Sequence, residues 1–174
     1  MMSILGTFFS LYIVSAYKVS ADENYIDDKD LTIAGSIGAI CNGSSRLVWA
    51  TLVDKYRFKT VYAFIMSAQL VIASTFYFTR EHPGFYIVWV CCSYMFVGGH
   101  FSCYPLMIAK IFGLTNGGQI TSIAFLMLPV SSLSSFALVF FESKPTMIYI
   151  VGAALTLLNL VILYNFDDSP MKRE

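Results

Sequence analysis

The stretch from Phe85 to Ile108 reads FYIVWVCCSYMFVGGHFSCYPLMI and contains no Asp, Glu, Lys or Arg. A helix of about 20 mostly apolar residues is long enough to cross about 30 Å of hydrocarbon. Every backbone polar group in lipid must be paired, and a single helix pairs its own groups internally. We therefore predict that this stretch forms a transmembrane helix.

Five other apolar runs accompany this one along the chain, so the sequence predicts an all-α integral membrane protein with six transmembrane helices. The six runs are Met1 to Tyr17, Leu31 to Leu52, Thr60 to Thr79, Phe85 to Ile108, Gln119 to Phe141 and Thr146 to Tyr164. The connectors are short and polar, Ala109 to Gly118 among them. We predict one transmembrane domain over residues 1–164, followed by a short charged tail over residues 165–174, with both termini on one side.

The composition agrees with a bilayer as the solvent. Of the 174 residues, 57% are hydrophobic and 13% are charged, whereas soluble domains carry about a quarter charged residues. The formal net charge is zero, and this argues against nucleic acid, which demands a basic face. No GxSxG, HExxH or CxxC pattern occurs. We therefore expect no enzyme activity, no cofactor and no metal.

Lysine and arginine favour one side of the predicted membrane topology. Six of them lie in the second and fourth loops and the tail, and four lie on the opposite side. By the positive-inside rule, the loop from Val53 to Lys59 is expected on the cytoplasmic or matrix side. The protein is predicted to be a multi-pass membrane protein; the organelle stays open, with the mitochondrial inner membrane among the candidates.

One segment carries a resemblance to a known family. From Asn42 to Lys59 the sequence reads NGSSRLVWATLVDKYRFK. It resembles the eighth helix and following loop of major facilitator superfamily transporters, nearest the oxalate/formate antiporter and monocarboxylate transporter group. Gly98 to Pro105, followed by Phe112-Gly113, resembles the end of their tenth helix. The resemblance implies that the chain corresponds to helices seven to twelve, the C-terminal half of the fold.

The sequence departs from the family pattern at several places. Ala50 and Arg57 stand where the family usually has glycine, and Asn42 stands where monocarboxylate transporters often carry aspartate. The run from Gln119 to Phe141 lacks the second cation of the oxalate branch. These differences argue against recognition of dicarboxylates.

Arg46 is the main candidate for a binding residue. An arginine about 12 Å inside Asp54 costs at least about 2.5 kcal/mol unless it faces protein or water, so we expect it to face the bundle interior. Its planar fork matches a carboxylate. Arg46 and Asn42 together predict a site for a small carboxylate. The alternative is that the Arg46 side chain snorkels to the interface or pairs with a neighbouring helix.

Other polar residues within the spans have weaker signals. His100 is a candidate for substrate binding or proton coupling, with hydrogen-bonded packing as the alternative. Gln69 and Asn159 predict hydrogen bonds between helices. The resemblance implies that Asp54, with Lys55 and Lys59, forms a loop motif whose aspartate meets a helix N-terminus in the other half; Lys59 has lipid anchoring as its alternative role.

Two functions follow from the sequence as hypotheses. The first is a transporter-like half-protein that works only with partner chains, either a matching half or a second copy. The second is a transporter-derived structural subunit of a larger membrane complex, such as a respiratory-chain assembly, without transport activity. Both predict stable packing against other membrane proteins.

Overall fold

The computed structural model describes residues 2–21, 25–141 and 145–166, and within these ranges it contains helices and no strand. The predicted all-α class is confirmed. The helices are α1 (Met2–Ser20), α2 (Asp28–Lys55), α3 (Phe58–Thr75, continued by a 3-10 turn at Phe76–Thr79), α4 (Pro83–Phe141) and α5 (Pro145–Asn165). Most of the predicted charged tail lies outside the described residues.

The long helix α4 is a helical hairpin that reverses at Gly113. This glycine has φ 78° and ψ 171°, a backbone conformation that only glycine adopts readily. The rings of Phe101 and Phe125 lie 5.8 Å apart, and a Cβ placed on Gly117 would lie 3.4 Å from Cα of Ala109. Both pairs are symmetric about Gly113, so the arms, α4a (Pro83–Gly113) and α4b (Asn116–Ala137), run antiparallel.

The hairpin corrects one prediction from the sequence. We expected Ala109 to Gly118 to be a connector, but helix extends through this segment on both sides of Gly113. The physical reason is that one glycine with positive φ is sufficient to reverse the chain, so the two helices do not need a longer loop between them.

Five helices of the described part are long and apolar enough to cross a membrane. They are Met2–Ser20, Phe58–Thr79, Pro83–Gly113, Asn116–Ala137 and Met147–Asn165. The chain is therefore a multi-pass membrane protein by helix length and composition. The sixth predicted span, Leu31 to Leu52, lies within α2 but is absent from this set. It is the most polar of the runs, because it carries Asn42, Arg46 and several serines and glycines.

The helices pack around a core to which α1, α3, α4a and α5 all contribute. At one end of this core, Phe76 packs edge-on against Phe9 and Tyr86, with ring centroids 6.2 and 5.3 Å apart. Tyr149 closes the group at 5.4 Å from Phe76. Aromatic pairs of this geometry add about 0.5–1.5 kcal/mol each beyond simple burial.

Helix α2 is joined to α4a by close backbone approach. A Cβ on Gly98 would lie only 2.6 Å from the carbonyl oxygen of Asn42. Beside this contact, the hydroxyl of Ser45 and the indole N–H of Trp49 both donate to the carbonyl of Met95, at 3.2 and 3.0 Å. Such contacts between small residues and backbone are the usual means of helix association in lipid. They fix which face of α2 remains uncovered.

The reversal at Gly113 predicts a specific stability difference. Gly113→Ala should lower the free energy of unfolding by about 1–3 kcal/mol, because alanine is strained at this positive φ. Gly118→Ala is the matched control: that glycine is helical and exposed, with no atom within 4 Å of an added Cβ. The control should be neutral or stabilising by up to about 1 kcal/mol. Unfolding in mixed detergent micelles measures the stability of both variants. Equal stability would contradict the positive φ assigned to Gly113.

Candidate functional site

Arg46 lies on the exposed face of α2, against the α4 hairpin. Its Nε donates to Oδ1 of Asn42, one turn earlier, at 3.2 Å, and its Cζ lies 5.1 Å from the ring centroid of Phe101. The structure thus brings together Arg46 and Asn42, as predicted. The expectation that Arg46 faces the interior of this bundle is wrong, because Ser45 and Trp49 occupy the side of α2 that packs against α4a.

Most donors of the Arg46 guanidinium are left unfilled by the described residues. Elsewhere on α2 the exposed hydroxyls of Ser36, Ser44 and Thr51 each donate to the backbone carbonyl four residues earlier. Arg46 forms no ion pair with any described residue, and only one of its five N–H groups is engaged. Water or another acceptor beyond the described residues satisfies the rest.

Phe101 contacts this guanidinium, and two further residues belong to the same surface: Phe125, which packs on Phe101, and Gly43, one turn before Arg46 on α2. Phe101 and Phe125 are half-buried and pack against each other. Gly43 is exposed, and an added Cβ would meet nothing within 4 Å. We define the Arg46 site as Asn42, Gly43, Arg46, Phe101 and Phe125. The symmetry of the hairpin about Gly113 is the signal that pairs Phe125 with Phe101.

His100 does not belong to the Arg46 site. Its side chain is 1% exposed and hydrogen-bonds to Gln69 and Tyr62 inside the bundle. Gly98 contacts α2, whereas His100, two residues further along the helix, points toward α1, α3 and α5. This placement favours packing, and the predicted contact of His100 with substrate gains no geometric support.

The hydrogen bonds around His100 have a fixed direction. The carbonyl of Gly6 can only accept, so Nε2 of Gln69 donates to it at 2.9 Å. Oε1 of Gln69 then accepts from Nε2 of His100 at 3.1 Å. Nδ1 of His100 pairs with the Tyr62 hydroxyl at 3.3 Å; in a neutral imidazole Nδ1 accepts this bond, and Tyr62 then accepts from Tyr104 at 2.5 Å. Both ring nitrogens are thus occupied by the protein itself.

Gln69 and Asn159 confirm the predicted hydrogen bonds between helices. Gln69 also accepts from Ser10 of α1 at 2.9 Å and approaches the hydroxyl of Thr156 of α5 at 3.4 Å. Asn159 of α5 donates to Tyr62 of α3 at 3.3 Å. We call this set, together with His100, Tyr104 and Gly6, the central polar cluster. It links four helices within the apolar core.

The loop-motif residues hold helix ends in place. Asp54 forms an ion pair with Lys110 at 3.3 Å, and Lys110 also donates to the carbonyl of Val53 at 2.6 Å. Lys59 donates to the carbonyls of Tyr164 and Phe166 at 2.6 and 3.2 Å. Lys55 lies exposed in the last turn of α2. Exposed ion pairs contribute only about 0–1 kcal/mol, so these contacts set geometry more than stability.

Comparisons with protein-family models, with curated proteins and with solved structures find no match to this chain. The major facilitator resemblance of the segment from Asn42 to Lys59 therefore remains a prediction from the residues themselves.

The central polar cluster predicts that Gly6 tolerates no side chain. A Cβ there would lie 2.2 Å from the Tyr62 hydroxyl and 2.7 Å from Nδ2 of Asn159. Gly6→Ala should therefore lower the unfolding free energy by about 1–3 kcal/mol. Gly84→Ala is the control, since its added Cβ meets nothing within 4 Å. Thermal unfolding in lipid nanodiscs compares them; a Gly6 variant as stable as the control would contradict the cluster as described.

Proposed function

We propose that the chain is one half of a membrane carboxylate transporter and acts together with partner chains. In this proposal α2 is the sixth membrane span, and the six spans form half of a major facilitator fold. A small carboxylate binds at Arg46, between this half and the body that covers it. The partner is a matching half or a second copy of the chain.

The single observation that carries the proposal is that the Arg46 guanidinium is held in place while most of its N–H groups have no partner among the described residues. It is held at Nε by Asn42 and rests on Phe101, yet it forms no ion pair with the described residues. A fixed guanidinium fork with free N–H groups suits two-point binding of a carboxylate. In lipid such a group is costly without a partner, so the site is most stable when an anion and a second protein surface cover it.

The uneven burial of the helices supports a partner on the same side. In α4b only 12% of the most apolar stretch is buried within the chain, compared with 44% in α1 and α4a. Helix α2 likewise exposes the face that carries Arg46. Phe101 of α4a contacts both Arg46 of α2 and Phe125 of α4b, so the open surfaces of these two helices approach each other at this ring. A second membrane body placed here would cover both.

A structural subunit of a larger membrane complex, such as a respiratory-chain assembly, is the second candidate. One observation favours it: the central polar cluster uses both ring nitrogens of His100, so the histidine that lies within a candidate span is not open for proton coupling. In that case Arg46 pairs with a carboxylate of the neighbouring subunit, and the chain carries no substrate.

Transport by this chain should depend on the guanidinium of Arg46. Arg46→Lys keeps the charge but loses the planar fork, so uptake of radiolabelled monocarboxylate into proteoliposomes should fall about tenfold or more, in line with a loss of about 1.5–3 kcal/mol. Lys29→Gln is the control, because Lys29 is an exposed cation at the start of the same helix. Unchanged uptake in the Arg46 variant would remove this residue from the substrate site.

The mass of the native assembly separates the two candidates. Native mass spectrometry of the chain extracted in mild detergent should find it in a stable higher-mass species. A species made of six-helix halves agrees with the transporter, whereas a large assembly of unrelated subunits agrees with the structural role. Recovery only as a folded, active 19.4 kDa monomer would contradict both.

A further inference from the structure

We propose that the Arg46 site selects monocarboxylates with a flat apolar body, of which aromatic carboxylates are the best fit. This inference rests on the proposed function and specifies its substrate class. It assigns the carboxylate to Arg46 and the body of the ligand to the surface formed by Phe101, Phe125 and Gly43.

The orientation of the guanidinium leaves one edge for the ligand. Nε donates to Asn42 and Cζ lies over the Phe101 ring at 5.1 Å from its centroid, whereas the two terminal nitrogens have no hydrogen bond to the described residues, so the edge that they form stays open. That edge presents two parallel N–H groups at the spacing of carboxylate oxygens. A carboxylate bound there lies in the guanidinium plane, beside the Phe101 ring.

The neighbouring surface is apolar and aromatic. Phe101 and Phe125 are both half-exposed, and their planes are inclined by 52° at a centroid distance of 5.8 Å. Two inclined rings form a shallow angle that a third flat group can enter in edge-to-face or offset contact. A short hydrophilic acid would leave both rings uncovered, whereas an aryl or cyclic alkyl body removes apolar area of both rings from water.

Gly43 supplies the space for such a body. It stands three residues before Arg46 and therefore on the same side of α2. An added Cβ at Gly43 would meet no atom within 4 Å, so the volume above it is open. Gly38 on the packed side of the helix is different, because an added Cβ there would lie only 2.7 Å from the ring of Tyr94. Gly38 thus has a packing reason to be glycine, and Gly43 has none within the chain.

The charges of the site limit the ligand to one carboxylate. Neither Lys nor Arg occurs between Gln119 and Phe141, so α4b brings no second cation to the surface beside Phe125. A second carboxylate would therefore lie against apolar rings without compensation, which is costly.

A fluorine NMR experiment tests the inference on the full chain in proteoliposomes. The probe is 4-fluorobenzoate, and protein-free liposomes correct for partition into lipid. Competition with benzoate, acetate, benzamide and phthalate ranks the ligand classes. We expect benzoate to bind about tenfold more tightly than acetate, since the aromatic contacts contribute about 0.5–1.5 kcal/mol beyond burial and 1.4 kcal/mol corresponds to tenfold.

Two variants test the aromatic surface separately from the cation. Phe101→Leu and Gly43→Leu should each reduce the preference for benzoate over acetate, measured as the ratio of the two affinities, at least threefold. Gly84→Leu is the control for adding a side chain at an open glycine distant from the site. The Gly43 variant keeps the test valid if loss of Phe101 disturbs the fold, because an added Cβ at Gly43 meets no atom within 4 Å.

The outcomes distinguish a wrong substrate class from a wrong assignment of carboxylate binding to Arg46. Equal affinity for acetate and benzoate, unchanged benzoate binding in Gly43→Leu, or preference for phthalate would overturn the substrate class and leave carboxylate transport standing. Benzamide binding as tightly as benzoate, or no binding of any acid, would overturn the carboxylate site itself. Selective benzoate binding that is lost in Arg46→Lys supports both.

Discussion

The contact between Gln69 and the carbonyl of Gly6 determines how the bundle closes. A polar group in an apolar interior is costly unless it is hydrogen-bonded, and Gln69 is fully buried. Its amide reaches α1 through Gly6 and Ser10, and α4a through His100. Because these partners lie on different helices, any shift of one helix along another would leave several donors and acceptors unpaired. Apolar burial alone offers little such specificity, since lipid is as apolar as the helix faces.

Helix α2 is attached to this bundle by another kind of contact. It has no member in the central polar cluster, and its contacts include the close backbone approach at Gly98, the hydrogen bonds to the Met95 carbonyl and the contacts of Lys110 with Val53 and Asp54. This attachment requires only one face of the helix. The other face is therefore free to carry polar groups that serve an outside partner or ligand, and that is where Arg46 lies.

The sequence predicted the helices well because length and hydropathy are local properties of a run. It also found Gln69 and Asn159, since an isolated amide in an apolar span needs a partner on another helix. It could not predict the sharp reversal at Gly113, because a glycine with positive φ and a glycine within a loop look alike in sequence. Nor could it select Phe101 and Phe125, because the sequence of an apolar span does not show which helix face an aromatic residue occupies. Their contact follows only from the pairing of residues across the hairpin.

The direction of the Arg46 side chain bears on the alternatives that the sequence left open. A snorkelling arginine extends its charged end toward the nearer headgroup region, which for α2 lies in the direction of Asp54 and Lys55. Arg46 instead points back along the helix, since its Nε bonds to Asn42 and its guanidinium lies over Phe101. Because these two contacts already hold the Arg46 side chain in one place, it loses less conformational entropy when a ligand or a partner protein binds. This arrangement is the expected one for a preorganised anion site or a protein interface, and it is unfavourable for a simple lipid anchor.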